Sequence, residues 1–176
     1  GHRKIALLCG QHRHCATEFR HQGYLDALAE HEIDEKMTFC QEFSTETFLN
    51  FIERKRPTAL ACIDGMVATL ALNALLRHGV NVPGDISILA ITGIEVPPSI
   101  LKIGRFTEPD GVASNNALEY LLTGKCSAPL TENECRIVLE SVYHPGETEG
   151  PPPECARQYR QLSSHDILIK SPAKGK

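Results

Sequence analysis

The fold is decided by residues 58–91, which read TALACIDGMVATLALNALLRHGVNVPGDISILAI. The stretch opens with an apolar run, continues after Asp64 with apolar residues at helical spacing, and returns to a second apolar run at 86–91. Asp64 is a favourable helix N-cap, and Gly79 is a favourable helix end. Two short apolar strands joined by a helix form a βαβ unit, so the stretch predicts two parallel strands in one sheet.

The alternation of strands and helices continues on both sides of this unit. Apolar runs of strand length alternate with longer segments in which apolar residues recur at helical spacing. This alternation is typical of α/β proteins, whose parallel sheet is covered by helices on both faces. The sequence therefore predicts a parallel sheet in an αβα sandwich. Outside the βαβ unit at 58–91, the predicted strands are 4–9, 37–40, a weak strand at 103–106, and 136–143. The predicted helices there are 16–30, 44–56 and 109–122.

Size and charge limit the function classes. The chain has 176 residues, with 18 basic and 22 acidic side chains and a formal net charge of −4. A chain of this length forms one domain with a sizeable core. Its net charge is negative, whereas a surface that binds nucleic acid is positively charged. No apolar run approaches the ~18–20 residues of a membrane span. We therefore expect a soluble domain that does not bind DNA by itself.

Cysteine usage indicates a reducing compartment. The chain has seven cysteines, an odd number with no C-x-x-C pair, and Cys9, Cys40 and Cys62 lie in or at the end of predicted strands. Cysteines in this pattern behave as reduced thiols that pack like small apolar side chains. The amino-terminal apolar stretch ends at Cys9, which is too early for a signal peptide. We therefore expect a cytoplasmic protein.

The turn after the first strand carries the side chains that most resemble a cofactor or metal site. Residues 10–15 read GQHRHC, with one glycine where dinucleotide binding needs G-x-G-x-x-G. His12, His14 and Cys15 offer nitrogen and sulfur ligands, but no second pair follows at the spacing of a zinc site. We expect no cofactor and no metal. Because the turn follows a strand, two interpretations stay open: a solvated loop, or a ligand contact through His12.

A hydrolase-like set of side chains occurs near the carboxyl end, where residues 163–166 read SSHD. Consecutive residues cannot adopt the geometry of nucleophile, base and orienting acid, and the strand-turn-helix elbow is absent. We therefore expect no enzyme activity. The alternative from another class is a small flavodoxin-like or Rossmann-like enzyme, which requires a phosphate-binding loop or a catalytic pair.

The composition changes at Gly146. Gly150 is followed by three prolines, and residues 171–176 read SPAKGK. Segments rich in proline and glycine are typical of tails and linkers. The sequence thus predicts a domain at 1–145 and a tail at 146–176. The apolar residues 167–169 leave two interpretations open, an edge strand docked on the domain or part of a free tail.

Three stretches resemble one family. Residues 1–8 (GHRKIALL) with 20–28 (RHQGYLDAL) form the first, residues 57–68 the second, and residues 79–88 (GVNVPGDISI) the third. Over roughly residues 1–145, the chain resembles the effector-binding domain of LacI/GalR-type bacterial transcription regulators. The resemblance implies a type I periplasmic-binding-protein fold, of which this chain corresponds to the carboxyl-terminal subdomain and a crossover helix.

The resemblance also implies a function. Family members bind a small-molecule effector, such as a sugar, a sugar derivative or another small metabolite, between two subdomains. They pair as homodimers, and they bind DNA through an amino-terminal headpiece that this chain does not contain. The implied function is effector sensing and dimerisation in a transcriptional repressor, with no membrane partner. The crossover helix, whose apolar face includes Leu121 and Leu122, is expected to pack that face elsewhere in this molecule or against a neighbour. An extracytoplasmic sugar-binding protein of the same fold is a further alternative.

Effector-contacting residues carry over from the family in part. Arg20 matches the arginine that clamps sugar hydroxyls or a carboxylate, and a guanidinium suits that task. Asp64 matches a family position too, although a helix N-cap explains it without a ligand. Ile63 and Thr92 stand where sugar-responsive members often carry Asn and Asp. The predicted effector site comprises Arg20, Asp64, Ile63, Thr92, His12 and Thr107.

Overall fold

The computed structural model describes residues 1–10, 15–91, 96–107, 110–124 and 140–153. Every predicted strand and helix that falls wholly inside these ranges is present, with ends within two residues of the predicted ones. In chain order the elements are β1 (Ile5–Leu8), α1 (Cys15–Glu30), β2 (Met37–Phe39), α2 (Thr45–Lys55), β3 (Ala59–Cys62), α3 (Gly65–Arg77), β4 (Ser87–Ile91), β5 (Gly104–Thr107), α4 (Asp110–Thr123) and β6 (Val142–His144).

The described strands form one sheet in the order β2-β1-β3-β4-β5-β6. Strands β1 to β5 run parallel, and Leu8 lies opposite Phe39 on one side and Cys62 on the other. The connection from β1 to β2 runs in the opposite direction along the sheet from the connections β2 to β3 and β3 to β4. Right-handed crossovers therefore put α1 on one face and α2 and α3 on the other. This arrangement confirms the predicted αβα sandwich.

The last strand differs from its prediction. Residues 136–139 of the predicted strand lie outside the described residues, Glu140 and Ser141 are not in a strand, and β6 continues to His144. Strand β6 pairs with β5 in the antiparallel direction, with Phe106 opposite Tyr143. The sheet is therefore parallel except at this edge, because alternating polarity identifies a strand but does not encode its direction.

The core under α2 and α3 is largely apolar. Alternate residues of the central strands, including Leu60 and Ile88, are almost completely buried. Helix α2 contributes Phe48 and Ile52, which are also inaccessible to solvent. Each fully buried side chain of this size stabilises the fold by about 1.5–3 kcal/mol. Helix α2 is held in register by Ser44, whose Oγ accepts a hydrogen bond from the Thr47 N–H at 3.2 Å, so local capping and long-range packing agree.

Helix α3 buries a stripe that overlaps the predicted one but is rotated from it. The apolar spacing predicts six residues on the sheet side: Met66, Val67, Leu70, Ala71, Ala74 and Leu75. Val67, Ala71, Ala74 and Leu75 are buried as predicted, whereas Met66 and Leu70 are 56% and 40% exposed. Ala68 and Leu72 are completely buried in addition. Helix α3 packs against α2 as well as against β3 and β4, so its buried stripe is rotated toward α2. A helix that is apolar on most of its circumference does not reveal this rotation in its sequence.

Helix α1 covers the opposite face only in part. The apolar spacing of Tyr24, Leu25, Leu28 and Ala29 predicts that they share one buried face. Tyr24 and Leu28 are buried, whereas Ala29 is exposed. The Tyr24 hydroxyl donates to the Ile5 carbonyl at 2.9 Å and accepts from the Met37 N–H at 3.2 Å. Burial raises the pKa of this hydroxyl. The tyrosine therefore ties α1 to both β1 and β2.

The segment after β6 packs against the beginnings of β4 and β5. Thr148 is completely buried, and its Oγ1 donates to the Ile88 carbonyl at 2.7 Å and accepts from the Gly104 N–H at 3.2 Å. The Ile88 N–H donates to the Thr148 carbonyl at 2.7 Å. The first residues of the predicted tail thus lie against β4 and β5. The division at 145/146 stays a prediction, and residues 167–169 lie outside the described residues.

Candidate functional site at the carboxyl edge of the sheet

The order of the strands reverses at β1, between β2 and β3, and this position marks a candidate ligand site. In open α/β sheets, ligands bind beyond the carboxyl ends of the strands where the order reverses. The Ile63 N–H donates to the Leu8 carbonyl at 2.9 Å. This bond extends the pairing of β1 with β3 to the carboxyl ends of the two strands. Gly10 follows β1 with a φ of +66°, a left-handed conformation that favours glycine. The sheet edge is therefore well defined at the ends of β1 and β3.

Arg20 reaches this edge from the second turn of α1. Its Nη1 donates to the Ile63 carbonyl at 3.2 Å, and the side chain is partly buried. A guanidinium is planar and has its N–H donors in fixed directions, so the bond to this carbonyl orients the group toward the sheet edge. The bond joins residues 43 positions apart and places a positive charge beside the end of β3.

Ile63 contributes its backbone and not its side chain. The side chain is 2% exposed and belongs to the apolar core. Its carbonyl is the acceptor for Arg20. The polar contribution of this position is therefore a carbonyl oxygen, which no inspection of side-chain types would find. Its predicted contact with an effector stays a prediction.

Asp64 is the N-cap of α3. Its carboxylate accepts from the Val67 N–H at 2.8 Å, which confirms the predicted capping role. Burial and, to a smaller extent, the charge of Asp64 raise the pKa of the neighbouring Cys62 thiol, which keeps that thiol neutral. A role of Asp64 in effector binding stays a prediction.

Gly65 brings the chain that follows β4 against the start of α3, a feature that the sequence analysis missed. A Cβ at Gly65 would lie 2.8 Å from the Val96 Cα and 2.8 Å from its Cγ2. Real Cβ atoms do not approach backbone this closely, so only glycine fits without a shift. The sequence signal that could have identified this close approach is a glycine at the first position of a helix, directly after the N-cap.

The other predicted site residues are not part of this group. Thr107 ends β5, two strands from β3 and so roughly 10 Å away across the sheet. Its hydroxyl is hydrogen-bonded to His144 Nε2 at 2.8 Å. His12 and Thr92 lie outside the described residues. The structure thus brings together Arg20, Ile63 and Asp64 and holds Thr107 apart from them.

Arg20 also borders a cavity of about 390 Å³ between α1 and the sheet. Its other walls are mostly apolar and include Tyr24, Leu28, Ala61 and Ile91. A cavity with apolar walls and one cation at its border suits a small molecule that has an apolar body and an anionic group.

Among the described residues, no three His, Cys, Asp or Glu side chains are grouped so that they could hold a metal ion. None of the described helices is both long enough and apolar enough to cross a membrane.

Comparisons with known proteins support a family assignment. Residues 1–102 match the family model described as periplasmic binding protein-like domain. The transcriptional regulator GalR of Escherichia coli K12 is 35% identical over 140 residues, which cover 75% of this chain and 41% of GalR. The ribose operon repressor of Haemophilus influenzae is 28% identical over 156 residues, covering 80% and 44%. The chain thus spans about two fifths of the length of these relatives.

Solved structures agree with this assignment. The Escherichia coli transcriptional repressor ascG superimposes with a TM-score of 0.67 at 26% identity, covering 85% of this chain and 56% of ascG. A sugar-binding LacI-family regulator from Escherichia coli, complexed with phosphate, has a TM-score of 0.66 at 21% identity, covering 85% and 55%. The chain therefore belongs to the periplasmic binding protein-like domain family, in the form of the effector-binding domains of LacI/GalR-type transcriptional regulators.

Proposed function

We propose that this chain is the ligand-sensing and dimerisation domain of a cytoplasmic transcriptional regulator. It binds a small-molecule effector at the carboxyl edge beside β1 and β3, and the bound effector modulates DNA binding by a headpiece outside this chain. The domain performs no catalytic reaction and needs no cofactor. GalR and the ribose operon repressor, both similar to this chain, are transcriptional regulators, which favours this function over the flavodoxin-like or Rossmann-like enzyme.

The observation that carries the proposal is the bond between the Arg20 guanidinium and the Ile63 carbonyl. It directs a cation to the edge where α/β sheets bind ligands. Guanidinium groups match carboxylates and phosphates with two parallel hydrogen bonds. The proposed effector is therefore a small metabolite or sugar derivative with an anionic group held by Arg20.

The neighbouring positions disfavour a neutral sugar. Ile63 offers no side-chain hydrogen bond, and Thr92 stands where sugar-responsive relatives often carry Asp. Each missing bond weakens binding by about 0.5–1.5 kcal/mol. Two missing bonds total about 1–3 kcal/mol, which is roughly a 5-fold to 150-fold loss in affinity for a free hexose.

Calorimetry tests this proposal. The experiment uses this chain joined to the amino-terminal part that its GalR relatives possess, and it titrates neutral monosaccharides and their carboxylated and phosphorylated derivatives. Arg20→Ala is compared with Arg77→Ala, which removes the same charge from an exposed position in the last turn of α3. We expect an anionic ligand to bind to the parent and to Arg77→Ala and to be lost in Arg20→Ala. Micromolar binding of a neutral monosaccharide that survives Arg20→Ala would contradict the proposal.

Exposed apolar side chains support the dimerisation part of the proposal. Met66 and Leu70 share one exposed stripe of α3, and Leu121 and Leu122 on α4 are 80% and 75% exposed. Large exposed apolar side chains grouped in this way are typical of protein interfaces. We expect the wild-type chain to sediment as a dimer at high micromolar concentration, and Met66→Glu/Leu70→Glu to shift it toward monomer. Ala29→Glu, an added charge at an exposed site on α1, serves as the control; a wild-type chain that is monomeric throughout would refute dimerisation.

The extracytoplasmic sugar-binding protein remains the second candidate, because the matching family model is itself named for periplasmic binding proteins. The two candidates differ in what precedes residue 1 in the intact protein. A helix-turn-helix there supports the regulator, and a signal peptide supports the binding protein.

A further inference from the structure

Two cysteines face each other at the ends of β1 and β2. The register of these parallel strands pairs Leu8 with Phe39. The Cys9 N–H donates to the Phe39 carbonyl at 3.0 Å, so the ladder continues one step beyond the last paired residues. In a parallel ladder, this bond places Cys9 directly opposite Cys40.

The spacing at this position suits a disulfide. Neighbouring strands lie about 4.7–4.9 Å apart, which falls inside the range of about 4.4–6.8 Å between the Cα atoms of disulfide-bonded cysteines. Residues opposite each other in a sheet also direct their side chains to the same face. Burial and, after it, a hydrogen bond that the Cys9 thiol donates to the Cys40 side chain raise the pKa of Cys9 to about 12. The two sulfur atoms are therefore close enough to interact.

The two thiols differ in their access to solvent. Cys9 is 4% exposed, whereas Cys40 is exposed and borders a polar cavity of about 320 Å³ that it shares with Thr47, Asn50 and Arg54. A small dissolved oxidant therefore meets Cys40 first. Cys62, which ends β3, is completely buried and has Leu8 opposite it in the register.

We propose that Cys9 and Cys40 are an oxidation site, at which a peroxide converts the two thiols into a reversible disulfide that cross-links β1 and β2. The Cys40 sulfur attacks one peroxide oxygen, the O–O bond breaks, and water leaves as Cys40 becomes a sulfenic acid. The Cys9 sulfur then attacks the Cys40 sulfur, an S–S bond forms, and the hydroxyl leaves as a second water. Two thiols and one hydrogen peroxide thus give one disulfide and two waters. A dithiol reductant reverses the reaction by thiol–disulfide exchange.

This site is separate from the proposed effector function. It uses neither Arg20 nor Asp64, and its chemistry can be measured without a ligand. A failure of effector binding therefore leaves the oxidation site intact, and the reverse also holds.

The test is peptide mapping of the oxidised full chain. The chain at micromolar concentration is treated with a small molar excess of hydrogen peroxide, quenched, denatured and alkylated, and its peptides are identified by mass spectrometry. We expect a Cys9 peptide joined to a Cys40 peptide, lighter by two hydrogen atoms than the sum of the two, that separates in dithiothreitol. Two thiols in contact react at a high effective concentration, so this product should exceed any intermolecular disulfide by about tenfold or more.

Variants separate the role of Cys40, which reacts with peroxide, from the role of Cys9, which then forms the disulfide. In Cys40→Ser, a surface substitution, Cys9 should remain fully alkylatable after the same treatment. In Cys9→Ala, folded by circular dichroism, Cys40 should accumulate as a sulfenic acid that dimedone traps. Cys62 should stay reduced in every sample as the internal control. Pairing of Cys40 with any other cysteine as the main product would overturn the proposal. Full alkylation of both thiols would also overturn the proposal, provided that the peroxide oxidises free glutathione in the same tube.

Discussion

Replacing Thr148 by valine removes one hydroxyl from the interior while nearly conserving the volume of the side chain. That hydroxyl donates to the Ile88 carbonyl at 2.7 Å and accepts from the Gly104 N–H at 3.2 Å. Thr148 itself is completely buried, so water cannot replace the lost partner. The substitution therefore leaves a buried carbonyl and a buried N–H each without this hydrogen bond.

The expected cost follows from these two bonds. A neutral hydrogen bond contributes about 0.5–1.5 kcal/mol, and a buried group left without a partner costs about 1–3 kcal/mol. With part of this cost offset by a better-buried methyl group, Thr148→Val should lower the free energy of unfolding by about 2–4 kcal/mol. For a urea m-value of about 2–3 kcal/mol/M, the unfolding midpoint should fall by roughly 1 M or more.

The assay is equilibrium urea unfolding followed by circular dichroism. Thr148→Ser keeps the hydroxyl and should cost only about 1 kcal/mol for the lost methyl. Thr45→Val makes the same chemical change at an exposed site on α2 and should stay within about 0.5 kcal/mol of the wild type. If Thr148→Val unfolds at the same urea concentration as Thr45→Val, the reasoning is refuted. That result would mean that residues 146–150 do not pack against β4 and β5.

Three further predictions follow from the same contacts. Gly65→Ala should lower the free energy of unfolding in urea by about 1–3 kcal/mol, because its Cβ would overlap Val96, whereas Gly23→Ala, with nothing within 4 Å of its Cβ, should raise it by about 0.5–1 kcal/mol. Stability should fall as pH rises from 8 toward 11, because the pKa of Cys9 is raised to about 12 and that of Cys62 is raised as well; the unfolded thiols lose their protons first, and the loss should be smaller in Cys9→Ala. In a gel shift at physiological salt, this acidic chain alone should not bind operator DNA specifically, and a sequence-specific nanomolar complex would contradict that.

Part of the candidate site was predictable from sequence. Asp64 was predicted as a helix N-cap from its position between an apolar run and a helical pattern, and its carboxylate bonds to the Val67 N–H. Arg20 was predicted as a site residue from the family resemblance, yet the structure shows it bonded to a backbone group, the carbonyl of Ile63. Side-chain types carry no record of which carbonyls stay free at a sheet edge, so this partner could not be predicted.

The sequence by itself determined the order and type of the secondary-structure elements. Apolar periodicity, the caps at Ser44 and Asp64, and the helix end at Gly79 act within about four residues, so they can be identified along the chain without knowledge of the fold. Only the tertiary structure decided the antiparallel direction of β6, the rotation of α3 that exposes Met66, and the burial of Thr148. It also decided which cysteine lies opposite Cys9. These features depend on contacts between residues far apart in sequence, such as the 60 positions between Ile88 and Thr148, and they arise when the elements pack to bury apolar surface and pair backbone groups.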